Sequence, residues 1–556
     1  MKRLVIDIET NMAHNEIWCV VTQDVDTGEA ITHLQPNKLK SLLNDYDELI
    51  GHNVIGFDFP ILREVWGLSV HRSKAVDTLV MSRMLNPIME GGHSLKNWGK
   101  HLAALGGYEA GLKGDFTDFD GGLSDEMIAY CKQDVSLNVD VYKHITKELS
   151  KWGSYEKALE LEHQVQVEIS RQERNGFNFD DQKATILQAE VADKMADIEG
   201  RMQSVFPAII EERWSEKTGK QLKDKVTRFN VGSRKQIGER LQSLGWKPKE
   251  FTDSGQAKID ESVLANVDIK EAKFIAEYLS LQKTAAFLSS WLKNIAEDGK
   301  IHGKVITCGA ITNRMAHHSP NLGQVPSAKS VYGSACRELF IPNKGDVLVG
   351  ADLSGIELRC LAHYMQDDKY TREILEGDIH TANQKAAGLP TRNNAKTFIY
   401  AFLYGAGGEK LGEIVGKGAQ AGNKLKKQFL SNVPKLDALM QKVQRLAGKG
   451  YIPALDGRRI QIRSEHSALN MLLQSCGAII AKQWIVEVHK LMQQNAVSFK
   501  MVAMVHDEIQ ASVAPEQAEL AGKLMVEAAR KAGETLKFRM PVDAEYSVGK
   551  SWLDTH

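Results

Sequence analysis

Four side chains in one stretch, Arg392, Lys396, Tyr400 and Tyr404, recur at intervals of four residues. On an α-helix each such step drifts by only about 40°, so the four would share one stripe roughly 18 Å long. The stripe reads as two cations followed by two phenols. Paired cations one turn apart suit a chain of phosphates, and aromatic faces further along suit a base and a sugar. Two distant carboxylate motifs complete the pattern: Asp352, which ends an apolar run at 347–351, and His506-Asp507-Glu508, which interrupts the apolar run 501–509. If Asp352 and Asp507 meet opposite the helix, they can hold two divalent ions about 3.5 to 4 Å apart, the arrangement that drives in-line phosphoryl transfer. The fold must therefore bring remote segments together.

At 556 residues the chain exceeds what one hydrophobic core usually serves, so several domains are expected. Its 43% apolar and 25% charged residues are ordinary for a globular protein, and disorder is not favoured. A net charge of -1 gives no sign of a polyanionic partner, so the distribution of charge carries that question. Residues 211–249 hold eleven Lys or Arg against five Asp or Glu, and 409–449 hold nine against three. Both surpluses sit apart from the acidic motifs, as suits a protein that grips phosphates in some places and metal ions in others. Six scattered cysteines, Cys19, Cys131, Cys308, Cys336, Cys360 and Cys476, show no paired spacing for zinc or disulfides, which fits a reducing cytoplasm. Asp7 ends the first apolar run too early for a secretory signal, and neither a transit peptide nor a membrane span is expected.

Residues 1–150 mix strand-like runs such as 48–50 with helices such as 125–147, which predicts a compact α/β domain. An amphipathic helical pattern follows over 155–172 and stops at Arg174-Asn175-Gly176. Residues 180–296 read as long helices interrupted by a lysine-rich loop at 216–225, marked by Thr218-Gly219. Strand and turn signals begin beyond Gly299, and helices return over 371–446. No internal repeat or low-complexity tract occurs.

Asp7-Ile8-Glu9 follows an apolar strand, where alternation puts both carboxylates on one face. Asp58 closes the motif Asn53-Val54-Ile55-Gly56-Phe57-Asp58, and Tyr130 stands four residues before Asp134 in a helical pattern. Four carboxylates can bind two hard divalent ions with the octahedral geometry of Mg²⁺. Tyr130, one turn from Asp134, can orient a metal-bound water toward a phosphodiester. In order and spacing these motifs resemble the DEDD-type proofreading exonucleases, tyrosine subclass. That resemblance implies a 3′ to 5′ exonuclease.

Asp352-Leu353-Ser354-Gly355-Ile356-Glu357-Leu358-Arg359 and Val505-His506-Asp507-Glu508 resemble the two palm motifs of family A DNA polymerases, and 392–405 resembles their finger helix. Segments 320–326 and 470–474 match as well, so the likeness covers nearly the whole chain. It is strongest toward the replicative polymerases of short-tailed phages, as in Gly377-Asp378-Ile379-His380-Thr381, and extends to His556. The implied fold class is multidomain α/β and α+β, an RNase H-like exonuclease domain followed by a right-hand polymerase. The expected boundaries are exonuclease 1–150, thumb 151–300, first part of the palm 301–370, fingers 371–450 and second part of the palm 451–556.

By this resemblance Asp352 and Asp507 are metal ligands for two Mg²⁺ ions, Mn²⁺ being an expected substitute, and Glu508 supports them. Arg392, Lys396 and His380 would bind the triphosphate. Arg314, His506, Asn470 and Gln474 would position the primer end and the nascent pair. Glu357 and Tyr404 would close the space that a 2′ hydroxyl needs, which makes DNA the product. Tyr400 stands where bacterial repair enzymes of the family usually carry phenylalanine, and its hydroxyl would support incorporation of dideoxynucleotides.

The chain departs from the family pattern in two places. Replicative relatives carry a long thumb insertion that recruits thioredoxin, whereas here the interval is only 207–228, so no thioredoxin clamp is expected. The lysine-rich segment 213–228 is expected to touch duplex phosphates itself. Asn313 stands before Arg314 where glycine is usual, and its side chain tolerates turn geometry. Primer-template DNA and deoxynucleoside triphosphates are the expected partners of a monomeric enzyme in the host bacterial cytoplasm. No Walker-type loop is present, so helicase, primase and single-stranded DNA-binding protein are expected as separate chains.

Overall fold

The computed structural model describes residues 1–106, 116–252 and 254–556. The first unit is built on a five-stranded sheet in the order Ala30–His33, Ile17–Asp24, Arg3–Thr10, Glu48–Gly51, Ala75–Asp77. Arg3–Thr10 pairs antiparallel with Ile17–Asp24 and parallel with Glu48–Gly51, so it is central and nearly all its side chains are covered. Alternation divides it between two cores. Leu4, Ile6 and Ile8 join one apolar cluster, while Val5 joins another that includes Cys131, Val135 and Ile145 of the Asp125–Ser150 helix. Asp7 and Glu9 share the parity of Val5, so the sheet itself aims them at that helix. Ser124 caps the helix by accepting from Met127 N at 3.1 Å, ahead of Asp125 and Glu126 in its first turn.

The Glu156–Asn175 helix leaves this unit and ends at Gly176 with a φ of 64°, the stop read from Arg174-Asn175-Gly176. Two long helices follow, Asp181–Val205 and Lys270–Lys293. Gln188 bonds Ser289 and Glu199 bonds Tyr278, so the pair runs antiparallel as a stem. The lysine-rich stretch between them departs from the expected loop. Ile209–Trp214 and Gln221–Thr227 pair into a two-stranded ribbon, because β-branched and aromatic residues (Ile209, Ile210, Trp214, Val226, Thr227) flank the Thr218-Gly219 turn.

The last large unit centres on a four-stranded antiparallel sheet in the order Phe499–Val505, Glu508–Val513, Val347–Leu353, Ala544–Gly549. The Ala468–Gln494 and Ala518–Thr535 helices share its core, to which the helices between Ile356 and Ala447 also contribute. Among the described residues no helix is long and apolar enough to cross a membrane.

A buried ion network ties these parts together. Glu162, fully buried on the Glu156–Asn175 helix, accepts from Lys482 Nζ at 2.6 Å and from Arg458. Arg458, also fully buried, is held by Asp456 through Nη2 at 2.6 Å. Burial alone would raise the Glu162 carboxyl, but Lys482 and Arg458 outweigh it and hold the group below its ordinary pKa. Removing the acid shared by two buried cations strands Lys482 and leaves Arg458 with Asp456 alone. Glu162→Leu is therefore expected to lower stability by about 3–5 kcal/mol. Urea unfolding of the two full-length chains measures it, and a loss under about 1 kcal/mol would contradict the network's role.

Candidate active site

Asp7 and Glu9 lie across the sheet from Val21 and Cys19, on the face that meets the Asp125–Ser150 helix. Ligand atoms of Asp7, Glu9 and Cys131 all fall within 4.8 Å of one another, and the Cys131 thiol donates to Asp7 Oδ2 at 3.4 Å. Asp134, one turn along from Cys131, is 6% exposed. Asp58 begins the Asp58–Trp66 helix at 3% exposure, and burial together with the nearby charge of Asp7 pushes its carboxyl well above the ordinary range. Asp7 and Glu9, with the Asp58 carboxyl close to Asp7, could hold a divalent cation, and their hard oxygen donors suit Mg²⁺ chemistry. The Tyr130 ring leans on Phe116 with centroids 5.7 Å apart.

Two contributors to this first site escaped the sequence reading. Cys131 sits beside Tyr130 and one turn before Asp134, so helical spacing alone would have found it. Asp77 accepts from Asn53 N at 3.0 Å and Ile55 N at 3.1 Å, which pins the turn that delivers Asp58. Asn53 is left-handed in that turn, with a φ of 67°.

The second site is set by strand register. Asp352 pairs with Glu508 on one side and Glu545 on the other, and Leu353 N donates to Asp507 O at 3.0 Å. Asp507 belongs to a two-residue hairpin turn that opens at His506, whose φ of 59° meets the positive-φ demand of such turns. The acids expected to converge do so. Partial desolvation, with the charges of Asp507 and Glu508, pushes the Asp352 carboxyl to about 7, although the residue is exposed to solvent. Burial likewise raises Asp507. Glu508 goes the other way. Burial would raise it, but hydrogen bonds from His556 Nδ1 at 2.9 Å, Trp552 Nε1 and Gln510 Nε2 at 2.7 Å prevail.

The cationic stripe occupies the Arg392–Leu403 helix, with Tyr404 at its cap, where its N–H still donates to Tyr400 O at 2.9 Å. Ala395, Phe398, Ile399 and Phe402 bury the opposite face, which leaves Arg392 and Lys396 outward. Arg392 Nε donates to Asp378 Oδ2 at 2.6 Å, an exposed pair that the sequence reading missed. Its signal was the position of Asp378 as cap of the Ile379–Ala387 helix. His380, in that helix, has its ring centroid 6.3 Å from Tyr400. Burial, Arg392 and Lys396 lower its pKa, so at neutral pH it offers a neutral imidazole rather than a third cation.

Arg314, Glu357, Tyr404, His506 and Asp507 line one pocket, floored by Gly477, Ala478 and Ala481. Tyr404 donates to Glu357 Oε1, and Arg314 lies 3.7 Å from the same oxygen. Burial and the nearby charges of Glu357 and Asp507 raise the Tyr400 hydroxyl. Asn470 and Gln474 are half-buried on the Ala468–Gln494 helix, respectively two turns and one turn before the pocket floor. Asn313 is left-handed with a φ of 60°, as a residue standing in for glycine must be.

Comparison with known proteins matches this geometry. The model of DNA polymerase family A covers residues 207–554. The DNA-directed DNA polymerases of Enterobacteria phage T3 and Escherichia phage T7 are each 32% identical, with all of both chains covered. The structure of the POL domain of Pol1 from M. smegmatis, in complex with DNA primer-template and dNTP, superposes with a TM-score of 0.82 at 19% identity, covering 99% of this chain and 95% of that one. Register, stripe and sequence agree, and the chain belongs to family A of the DNA polymerases.

Proposed function

We propose that the chain is a DNA-dependent DNA polymerase with a linked 3′ to 5′ proofreading exonuclease, replicative in role. The observation that carries the reading is the meeting of Asp352, on a central strand, with Asp507, in the adjoining hairpin turn, beside a helix that presents Arg392 and Lys396. The proofreading domain is assigned to 1–150, the thumb to 151–300, the palm to 301–370 with 451–556, and the fingers to 371–450.

In the polymerase site Arg392 and Lys396 hold the triphosphate and offset the charge that gathers on the departing pyrophosphate. His380 donates to the same phosphates. Arg314, His506, Asn470 and Gln474 hold the primer end and the new pair, so that the 3′ oxygen forms its bond to the α-phosphorus as the bond to pyrophosphate breaks. Two Mg²⁺ ions on Asp352 and Asp507 would supply a more acidic 3′ hydroxyl and screening of the leaving group. In the first site Asp7, Glu9, Asp58 and Asp134 are the metal ligands and Tyr130 aims the attacking water. Helicase, primase and single-stranded DNA-binding protein act as separate chains, without a thioredoxin clamp. Six buried, unbridged cysteines support a reducing compartment.

Separation of the two activities tests the reading. Asp352→Asn is expected to lower primer extension roughly 10³-fold, several kcal/mol of transition-state stabilisation, while leaving removal of single-stranded 3′ ends intact. Asp7→Ala is expected to do the reverse. One variant abolishing both activities, or neither variant affecting its own, would sink the two-site assignment.

The bond from Tyr404 to Glu357 predicts sugar selectivity. Glu357→Ala should admit ribonucleotides roughly tenfold or more readily, about 1.4 kcal/mol of lost discrimination. Single-nucleotide kinetics with paired ribo- and deoxynucleotides decide it, and unchanged selectivity would refute the gate.

Tyr400 predicts a second selectivity. With Tyr400→Phe the bias against dideoxynucleotides should rise about tenfold, the worth of roughly one hydrogen bond. Equal discrimination by the native and variant chains would count against a role for the hydroxyl.

A further inference from the structure

The ribbon of Ile209–Trp214 and Gln221–Thr227 joins no other sheet. Every residue of its first strand is exposed, and the second buries none. An isolated two-stranded hairpin is marginal in water, and a cluster of exposed large apolar side chains marks an interaction surface. Ile209, Ile210, Trp214, Leu222 and Val226 are each between 43% and 64% exposed, with Ile209 and Leu222 on the face opposite Ile210 and Val226. Ile210 lies directly opposite Val226, and alternation puts Trp214 on their face.

The charges on the ribbon point to the occupant. Lys225 pairs with Glu211 at 3.0 Å, whereas Arg213, Lys217, Lys220, Lys223 and Arg228 have no carboxylate within 4.0 Å among the described residues. Lys217 and Lys220 stand at the tip, in a turn closed by Ser215 N to Lys220 O and Gly219 N to Ser215 O, both at 2.8 Å. The position of the ribbon points the same way. The stem helix Asp181–Val205 has 25 residues and so carries the ribbon about 38 Å from its root, close to one turn of duplex. That root, Phe177–Phe179, pairs with Phe340–Ile341, whose Phe340 O accepts from Trp552, the residue that holds Glu508.

We propose that this ribbon lies in the major groove of the duplex behind the polymerase site and grips it, a clamp built into the chain in place of a recruited one. The inference rests on the DNA-synthesis reading and adds a surface to it. A two-stranded ribbon fits the major groove. The lysines and arginines meet phosphates, which are alike at every position. Ile210, Val226 and Trp214 rest against sugar and base edges without hydrogen bonds, so the ribbon reads no sequence, as a copying enzyme requires.

The test measures duplex affinity by fluorescence anisotropy from about 50 to 200 mM salt, using the full chain. Replacing Lys217, Lys220 and Lys223 with Gln should flatten the log–log salt slope by about two to three, roughly 0.9 for each phosphate no longer neutralised. Ile210→Ala with Trp214→Ala should weaken binding severalfold at an unchanged slope. Both variants should add a single nucleotide at the native rate when DNA is saturating, which shows an intact fold. On a duplex of about half a turn, too short to reach the ribbon, native and variant chains should bind alike. An unchanged slope, or equal weakening on long and short duplexes, would overturn the clamp. Native self-association that the apolar variant abolishes, with duplex affinity intact, would assign the face to a second copy instead. Failure of the native chain to extend any primer would sink the polymerase reading, a result separable from all of these.

Discussion

A carboxylate that water never touches joins the first unit to the second half of the chain. Glu162 belongs by sequence to the helix leaving the first unit, yet its partners are Lys482 and Arg458, which lie far along the chain. Such a network is not a cheap way to stabilise a core, since desolvating four charges costs more than an apolar equivalent would. Its effect is on geometry. A salt-bridged helix cannot slide or rotate without stranding a charge, and the helix so fixed, Ala468–Gln494, is the one that floors the pocket with Gly477, Ala478 and Ala481. Lys482 lines that pocket as well. The first unit, the pocket floor and the Asp456 turn are thereby held in one frame.

Within that frame the polymerase acids are placed by backbone rather than by side-chain contacts. Strand register puts Asp352 beside Glu508, and a two-residue turn puts Asp507 one backbone hydrogen bond from Leu353. Desolvation and like charges so close both disfavour the anion, which is why Asp352 holds its proton to about 7. Glu508 escapes the conflict because His556, Trp552 and Gln510 fix it as an anion turned into the protein. Two of the three acids are thus left ready for a cation and the third is committed to structure. The C-terminal residues take part directly in that division.

Much of this was legible from spacing. The stripe at 392–404, the strand parity of Asp7 and Glu9, and the helix that carries Tyr130 and Asp134 follow from periods of 3.6 and 2. The stop at Gly176 followed from Asn-Gly chemistry, and the left-handed Asn313 from its substitution for glycine. What periodicity does not encode is contact between remote segments. Glu162 with Lys482 and Asp378 with Arg392 each look, in the sequence, like ordinary surface charges. The ribbon was missed for a different reason. Lysine-rich composition argues for a loop, but the β-branched and aromatic residues flanking a Thr-Gly turn were the stronger signal.

The pair between Arg392 and Asp378 shows how such unread contacts bear on chemistry. Both side chains are solvent-exposed, so water screens their attraction and the pair adds little to stability. A triphosphate offers the same guanidinium several anionic oxygens, and it does so beside Lys396. Exchange of Asp378 for phosphate therefore costs little. Asp378 also caps the helix that bears His380 through the backbone amides of His380 and Thr381. On the proposed reading, one carboxylate thus fixes the helix that bears His380 and holds Arg392 in place until the phosphates arrive. Arg392 is oriented in advance, and the entropy of ordering a long side chain is met before substrate binding rather than during it.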